Sequence, residues 1–368
     1  MDSIEQGARK FLEEVGRCLL IAAKDPVVRE LNSDLADVRG QRGKIFLAGN
    51  GASSSISNTL AFELSFESGL PAFSLSEPNL VVGSTRKASY ADSIRLSLER
   101  LAAEGDLALI TSSSGQSPNA VNAGVWAKEN GLGLISFTGF AADNRLRALS
   151  DSSFWVPSFD YNVVETVHLA VGLCIAQSLA GGTAVENSLV SIANDVRELA
   201  DSRARMQDIV EFAEISKKTI SESGKLVFIG EGSSISSASH SATDFTKSGI
   251  KSVALSDSNL ITAMMNDFGR DEWLVKGLER YSDPGDLVVL LMHDAMTAAE
   301  EKAVLWCGNN SRTVVAIGGV HSSSAVVSVL RQHHEWSGTD MSGNLIIPSV
   351  TNLAVADALL NQLLERAD

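Results

Sequence analysis

The sequence predicts an α/β protein made of two tandem, doubly wound parallel-sheet domains with flanking helices. Three observations predict it. First, the apolar runs "KIFLAG", "DLALITS" and "GLGLISFTG" are each followed by a turn, and helical spacing of apolar residues follows the first two; strands apolar on both faces that alternate with helices belong to a parallel sheet covered on both sides. Second, the same grammar returns later as "KLVFIG", "DLVVLLM" and "RTVVAIGG". Third, the two series keep one register. Gly49 and Gly230 lie 181 residues apart, while "LSEPNL" at 75 and "LSDSNL" at 255 lie 180 apart, as do "LERLAAEGDLALI" at 98 and "LERYSDPGDLVVL" at 278. Three matches in register are the mark of a duplicated domain.

The elements follow in order. Residues 4–23 carry apolar residues at helical spacing and form a lead-in helix; "KIFLAG" is the first strand and its Gly/Ser turn opens the helix "ASSSISNTLAFEL". "DLALITS" is the second strand, "NAVNAGVWAKEN" the next helix and "GLGLISFTG" the third strand, before the apolar helix "VVETVHLAVGLCIAQSLAGG". Residues 186–220 form a second lead-in helix that also joins the halves, so the domains are expected at 1–185 and 186–368. A chain of 368 residues suits two domains of ordinary size.

Composition excludes several classes. With 44% hydrophobic and 20% charged residues the chain reads as globular, and a net charge of −15 argues against nucleic acid as a partner, because phosphate backbones need a basic footprint. The three cysteines, Cys18, Cys174 and Cys307, are too far apart for a disulfide framework or a thiolate metal cluster. The charged N-terminus has no clean apolar core, and no segment approaches ~18 uninterrupted apolar residues. A cytoplasmic protein without a membrane anchor is expected.

The chemistry of the first copy concentrates in "DLALITSSSGQSPNAV". In an open α/β sheet, ligands sit beyond the carboxyl ends of the strands, where loops enter helix N-termini. Ser117 reads as an N-cap and Pro118 as the first helical turn, which aims free amides and a positive dipole end at the loop. Ser112, Ser113, Ser114 and Ser117 add hydroxyl donors, a combination suited to a phosphate monoester. A plain Ser/Gly strand-to-helix loop would look similar in isolation. The segment is neither a P-loop, since no GKS or GKT follows, nor a nucleophile elbow, which needs glycine on both sides of serine.

"GNGASSSISNTLAFEL", "GDLALITSSSGQSPNAVNAG" and "GLGLISFTG" resemble the glycine-started helix, serine loop and third strand of SIS (sugar isomerase) domains, which bind phosphosugars. Within that superfamily the sequence is similar to the phosphoheptose isomerases, whose pattern includes a segment like "LITAMMNDFGRDEW". The resemblance covers most of both halves and implies a tandem SIS protein. It also divides the family pattern unevenly. The family's helix pair of His and Glu four residues apart is His240 and Asp244 in the second copy, but Thr59 and Glu63 in the first. Its Asn-Asp is kept as Asn266 and Asp267 and replaced by Arg86 and Lys87 in the first copy. The serine loop becomes "LMHDAMT" in the second copy, with His293 and Asp294. The terminal Gln-Glu and His helix survives as Glu165 and His168 in the first copy, while "LAVADALL" has neither.

Candidate catalytic residues are therefore Glu63, Glu165, His168, His240 and Asp244; candidate substrate-binding residues are Asn50, Gly51, Ser53, the four loop serines and Asp267. Glu63 and Glu165 stand in otherwise apolar helices, where an unpartnered carboxylate is costly to bury, so each is either functional or on an exposed face. His168 reads more readily as a core histidine than as a ligand. "RQHHEW" reads as an exposed loop. His240 and Asp244 would suit a metal, but no third and fourth ligand is evident, so no cofactor is predicted and zinc is implied only by the resemblance.

The resemblance implies an aldose–ketose isomerase acting through an enediol, with a carboxylate as base and the phosphate as anchor. Because each copy holds only part of the pattern, a composite site is expected in which the second copy contributes His240, Asp244 and Asp267 to the first copy's serine loop. A homodimer would then form a four-domain assembly. The alternative is a non-catalytic phosphosugar sensor.

Overall fold

The computed structural model describes residues 3–41, 43–292, 295–318 and 336–337. The chain divides into two compact units, Glu14–Asn194 and Met1–Glu13 with Asp195–Asp368. Its first residues thus group with the second copy of the repeat rather than the first.

In chain order the first part runs α1 (Ser3–Ala22), α2 (Val27–Gln41), β1 (Ile45–Gly49), α3 (Ala52–Phe62), β2 (Ala72–Ser74), α4 (Pro78–Lys87), α5 (Ser93–Leu101), β3 (Leu107–Ser112), α6 (Pro118–Glu129), β4 (Gly133–Thr138), α7 (Arg145–Leu149), β5 (Ser152–Trp155), α8 (Tyr161–Leu179) and α9 (Val185–Asp201). The second continues α10 (Arg203–Ser221), β6 (Leu226–Ile229), α11 (Ser234–Lys247), β7 (Ser252–Ala254), α12 (Ser258–Phe268), α13 (Trp273–Tyr281), β8 (Leu287–Leu291), α14 (Ala298–Asn309), β9 (Thr313–Gly318) and β10 (Trp336–Ser337). The expected lead-in helix over 186–220 is two helices, because Ser202 ends one and caps the next through its side chain to the Arg205 amide.

Both sheets are parallel, with orders β2-β1-β3-β4-β5 and β10-β9-β8-β6-β7. In each the chain winds outward from a central strand, then returns to its other side. The order therefore reverses between β1 and β3 in the first unit and between β6 and β8 in the second. β3, β6 and β8 are buried along their whole length, as strands covered on both faces should be.

The repeat is visible in hydrogen bonds as well as in order. Asp106, just before β3, accepts from the amides of Lys44 (2.8 Å) and Ala103 (2.9 Å). Asp286, just before β8, accepts from Lys225 (2.9 Å) and Asp283 (2.7 Å) in the same way. Glu77 caps α4 through the Leu80 amide, and Asp257 caps α12 through the Leu260 amide. The repeated motifs "GDL" and "LSEPNL/LSDSNL" are thus strand-edge ties and helix caps, each contributing on the order of 1 kcal/mol.

α8 is long and apolar enough by composition to cross a membrane, yet 78% of its apolar window is buried inside the protein. It is the central covering helix of the first sheet. Cys18, Cys174 and Cys307 are buried thiols.

Candidate functional site

Ligand-binding crevices in open parallel sheets form where the strand order reverses. In the first unit that point lies between β1 and β3, whose last paired residues are Gly49 and Thr111. The chain turns at Gly49 so tightly into α3 that a Cβ there would stand 2.5 Å from the Ser53 carbonyl oxygen. That close turn puts Ser53 directly beyond the end of β1.

Ser53 and Ser113 converge on one atom. Each donates its hydroxyl to Glu165 Oε1, both at 3.2 Å. Glu165 is only 7% exposed, in the second turn of α8, and Ser53 and Ser113 are equally buried. A carboxylate surrounded by Val163, Val164, Thr166 and Val167 would be costly without such donors, and the two serines supply them. Three residues singled out separately in the sequence are therefore one hydrogen-bonded cluster.

The rest of the serine loop wraps around this cluster. Ser112 donates to Ser117 at 3.4 Å, and Ser114 Oγ accepts from the Gln116 amide at 3.2 Å. Ser117 holds the N-cap position of α6, but its hydroxyl makes no capping bond, contrary to the sequence expectation. Asn119 instead serves the first turn, its Oδ1 accepting from the Ala120 amide. Ser114 and Ser117 are half-buried, so both hydroxyls remain accessible at the N-terminus of a twelve-residue helix.

Four residues that sequence reasoning missed, Gly115, Asn144, Asn119 and Tyr90, hold this arrangement. Gly115 sits at φ +60°, and a Cβ there would fall 1.9 Å from Asn144 Oδ1. Asn144 is fully buried, caps α7 and donates to the Ala141 carbonyl at 2.9 Å, while the Leu146 amide donates to the Gly115 carbonyl at 3.0 Å. On the other side, Asn50 Nδ2 donates to Asn119 Oδ1 (2.9 Å) and Asn119 Nδ2 donates back to Asn50 Oδ1 (2.8 Å). The Tyr90 hydroxyl also donates to Asn50 Oδ1 at 2.9 Å. Gly51, at φ +56°, opens α3 and stays exposed. The only sequence signal for Asn144 and Asn119 was their place just before or within a helix's first turn.

Other expected residues fall elsewhere. Glu63 is half-buried at the start of a π-helical turn, Glu63–Glu67, and stands about 15 Å along α3 from Ser53 at the ordinary helical rise. His168 is completely buried one turn after Glu165, with Nε2 2.9 Å from the Thr138 carbonyl and its ring against Phe137 and Phe154. Burial pushes it down to about 4, the Thr138 carbonyl opposing the shift, so it is a neutral core imidazole.

In the second unit His240 and Asp244 are both buried on α11, with Nε2 and Oδ2 3.1 Å apart. The four-residue spacing does place them on one helix face. Asp267 is exposed at the end of α12 beside Asn266, whose side chain donates to it at 3.0 Å. Where Asn50 meets an amide in the first unit, its counterpart Glu231 accepts from Trp273 Nε1 at 2.6 Å and faces Glu300 in the first turn of α14. Burial pushes the Glu300 carboxyl up to about 7, the Thr297 amide opposing this and Glu231 adding to it. His293, Asp294, "RQHHEW" apart from Trp336, and "LAVADALL" lie outside the described residues.

A five-stranded parallel sheet with a serine loop at its switch point, followed by a second parallel sheet of matching order that lacks that loop, defines a tandem SIS protein. The tagatose-6-phosphate ketose/aldose isomerase of Escherichia coli shares this fold, with 16% identity and a TM-score of 0.66 over 97% of this chain and 93% of that one. No family model matches the chain. The phosphoheptose isomerase of Chlorobaculum tepidum is 30% identical over 156 residues, covering 39% of this chain and 75% of that relative. That of Burkholderia pseudomallei is 33% identical over 138 residues, covering 36% and 70%. The chain belongs to the phosphoheptose isomerase family.

Proposed function

We propose that the first unit binds a sugar phosphate at its serine loop and isomerises it between aldose and ketose forms, with Glu165 as the base. The observation that carries this reading is the convergence of Ser53 and Ser113 on a single oxygen of a carboxylate buried in an apolar helix, beside an anion-binding loop. Such a carboxylate has a function to offset its cost. The phosphate accepts from the Ser114 and Ser117 hydroxyls and the N-terminal end of α6, and that remote binding energy positions the sugar. Glu165 then takes the proton from the carbon beside the carbonyl, giving an enediol, and returns it to the neighbouring carbon while the hydroxyl proton moves between the two oxygens. Ser53 and Ser113 fix the orientation of the carboxylate. His168, neutral and bonded to Thr138, supports the helix from behind and takes no proton.

The relatives named phosphoheptose isomerase support a sugar phosphate as substrate. A homodimer is part of the proposal. It is supported by an exposed aromatic group beside edge strand β2, in which Phe62 and Phe66 stack at 5.1 Å and Phe66 and Phe73 are 77% and 50% exposed. The second reading, a phosphosugar sensor, is favoured by the position of Glu63, whose carboxylate starts far along α3 from the loop.

The test is proton exchange. Wild-type protein incubated with ketose and aldose phosphates in deuterated water should incorporate deuterium at the carbon beside the carbonyl. Glu165→Gln should keep the phosphosugar thermal shift and lose about 100-fold or more in exchange. Ser114→Ala with Ser117→Ala should abolish the shift itself. Binding without exchange across the panel establishes the sensor instead.

A further inference from the structure

Beyond the end of β4, next to the serine loop, three aromatic rings stand together. Phe140 stacks on Phe159 with centroids 5.6 Å apart and meets Tyr161 edge-on at 4.7 Å. Phe159 is 77% exposed and Tyr161 54% exposed, a large apolar surface left facing solvent.

This group is built rather than incidental. Phe140 adopts φ +54°, a left-handed conformation that bulky residues rarely enter. Both of its backbone polar groups are tied: its amide donates to the Ser158 carbonyl at 3.0 Å, and its carbonyl accepts from Trp155 Nε1 at 3.3 Å. Strain of that kind persists where the surroundings over-determine it, and it collects at ligand sites. The group is also continuous with the carboxylate cluster by two routes. The amide of Gly139, the residue before Phe140, donates to the Ser113 carbonyl at 2.9 Å. Tyr161 lies four residues before Glu165 on α8, on the same helix face.

We infer that Phe159 and Tyr161, braced by Phe140, form a stacking platform for the carbon chain of the bound sugar phosphate and select longer sugar phosphates over short phosphate esters. This rests on the sugar-phosphate reading of the serine loop. Sugars present a face of C–H groups between their hydroxyls, and that face packs on aromatic rings, while hydroxyls alone would not reward so much exposed apolar surface. On this proposal a three-carbon phosphate anchored at the serine loop falls short of the rings, and a six- or seven-carbon phosphate extends to them. The platform is a specificity determinant and takes no part in proton transfer.

The experiment compares the affinities of inorganic phosphate, glycerol 3-phosphate and a six-carbon ketose phosphate by calorimetry, for wild type, Phe159→Ala with Tyr161→Ala, and the milder Tyr161→Phe. Wild type should prefer the six-carbon ligand to glycerol 3-phosphate by about tenfold or more, the range for one to two aromatic contacts. The double variant should level the two esters while inorganic phosphate binds as before, and Tyr161→Phe should retain the preference. A double variant that keeps wild-type selectivity overturns the platform and leaves the phosphate loop standing. A variant that changes the sedimentation of the protein without changing selectivity overturns it too, giving the rings to a second copy of the chain. Wild type that binds none of the three ligands overturns both the platform and the sugar-phosphate reading.

Discussion

Glu300 should make the second unit of this protein weaker in alkali, and Glu300→Gln should cure it. The carboxyl is 4% exposed and faces Glu231, and burial raises it from the ordinary 4.5 to about 7. A carboxyl that holds its proton more tightly when folded leaves stability intact below about pH 4.5, and that stability is lost as pH rises through about 7. The full loss from that difference is about 3 kcal/mol. Glutamine keeps the capping geometry in which Thr297 and residue 300 serve each other's amides, because an amide oxygen can accept from Thr297 as the carboxylate does. It removes the charge. At pH 8 the variant should therefore be the more stable, shifting the urea midpoint of the second unit by about 1 M, and at pH 5 the two should nearly coincide. Hydrogen exchange of β6 and β8 during urea titration reads that unit alone, since both strands are fully buried within it. A variant no more stable than wild type at pH 8, or a gap of equal size at both pH values, would refute the reasoning.

The remaining expectations concern the first unit and its partner copy. Gly115→Ala places a methyl 1.9 Å from Asn144 at a left-handed position, so it should lower stability by more than about 1 kcal/mol and erase the phosphate thermal shift, as differential scanning fluorimetry would show. His168, held down to about 4 from 6.5 by burial, contributes stability present above pH 6.5 and lost as pH falls through about 4. Exchange of β3 and β4 amides should report a loss of about 3 kcal/mol over that window, and His168→Leu should flatten it. His240 lies in the copy without a serine loop, so His240→Ala should leave deuterium exchange by the first unit at the wild-type rate, and a loss of about 100-fold would instead favour the composite site expected from the sequence.

The three inner strands of each sheet were legible because duplication printed them twice, and a parallel strand buried on both faces is a continuous apolar run in either copy, whereas the three-residue strands β2 and β7 leave no such run. β5 was not legible: "SSFW" carries two serines, and the strand lies at the sheet edge where only Phe154 is buried. α2 escaped notice because "VVRELNSDLADVRGQ" is polar over most of its length and buries little beyond Val28, Leu31, Leu35 and Val38. In the site, residue types announced donors and acceptors but not their partners. The serines pointed to an anion loop, yet the turning of Ser53 and Ser113 toward Glu165 depends on how closely α8 crosses the strand ends, a distance no spacing encodes. The three-residue separation of Glu165 and His168 could not tell that one side chain meets two serine hydroxyls and the other a strand carbonyl.

The paired aspartates Asp106 and Asp286 divide the labour of this fold along the length of its strands. Both sit where the strands begin, and both staple the same two neighbouring segments in each copy. The serine loop, Glu231 and Glu300 lie where the strands end. A mutation at the finishing edge therefore leaves the fastening at the starting edge untouched, and a duplicated unit could exchange serines and an asparagine for acids and aromatics without coming apart. The result is a chain whose two halves are kept alike by their inlets and made different at their outlets, which is how one ancestral domain can come to hold two unequal surfaces within a single polypeptide.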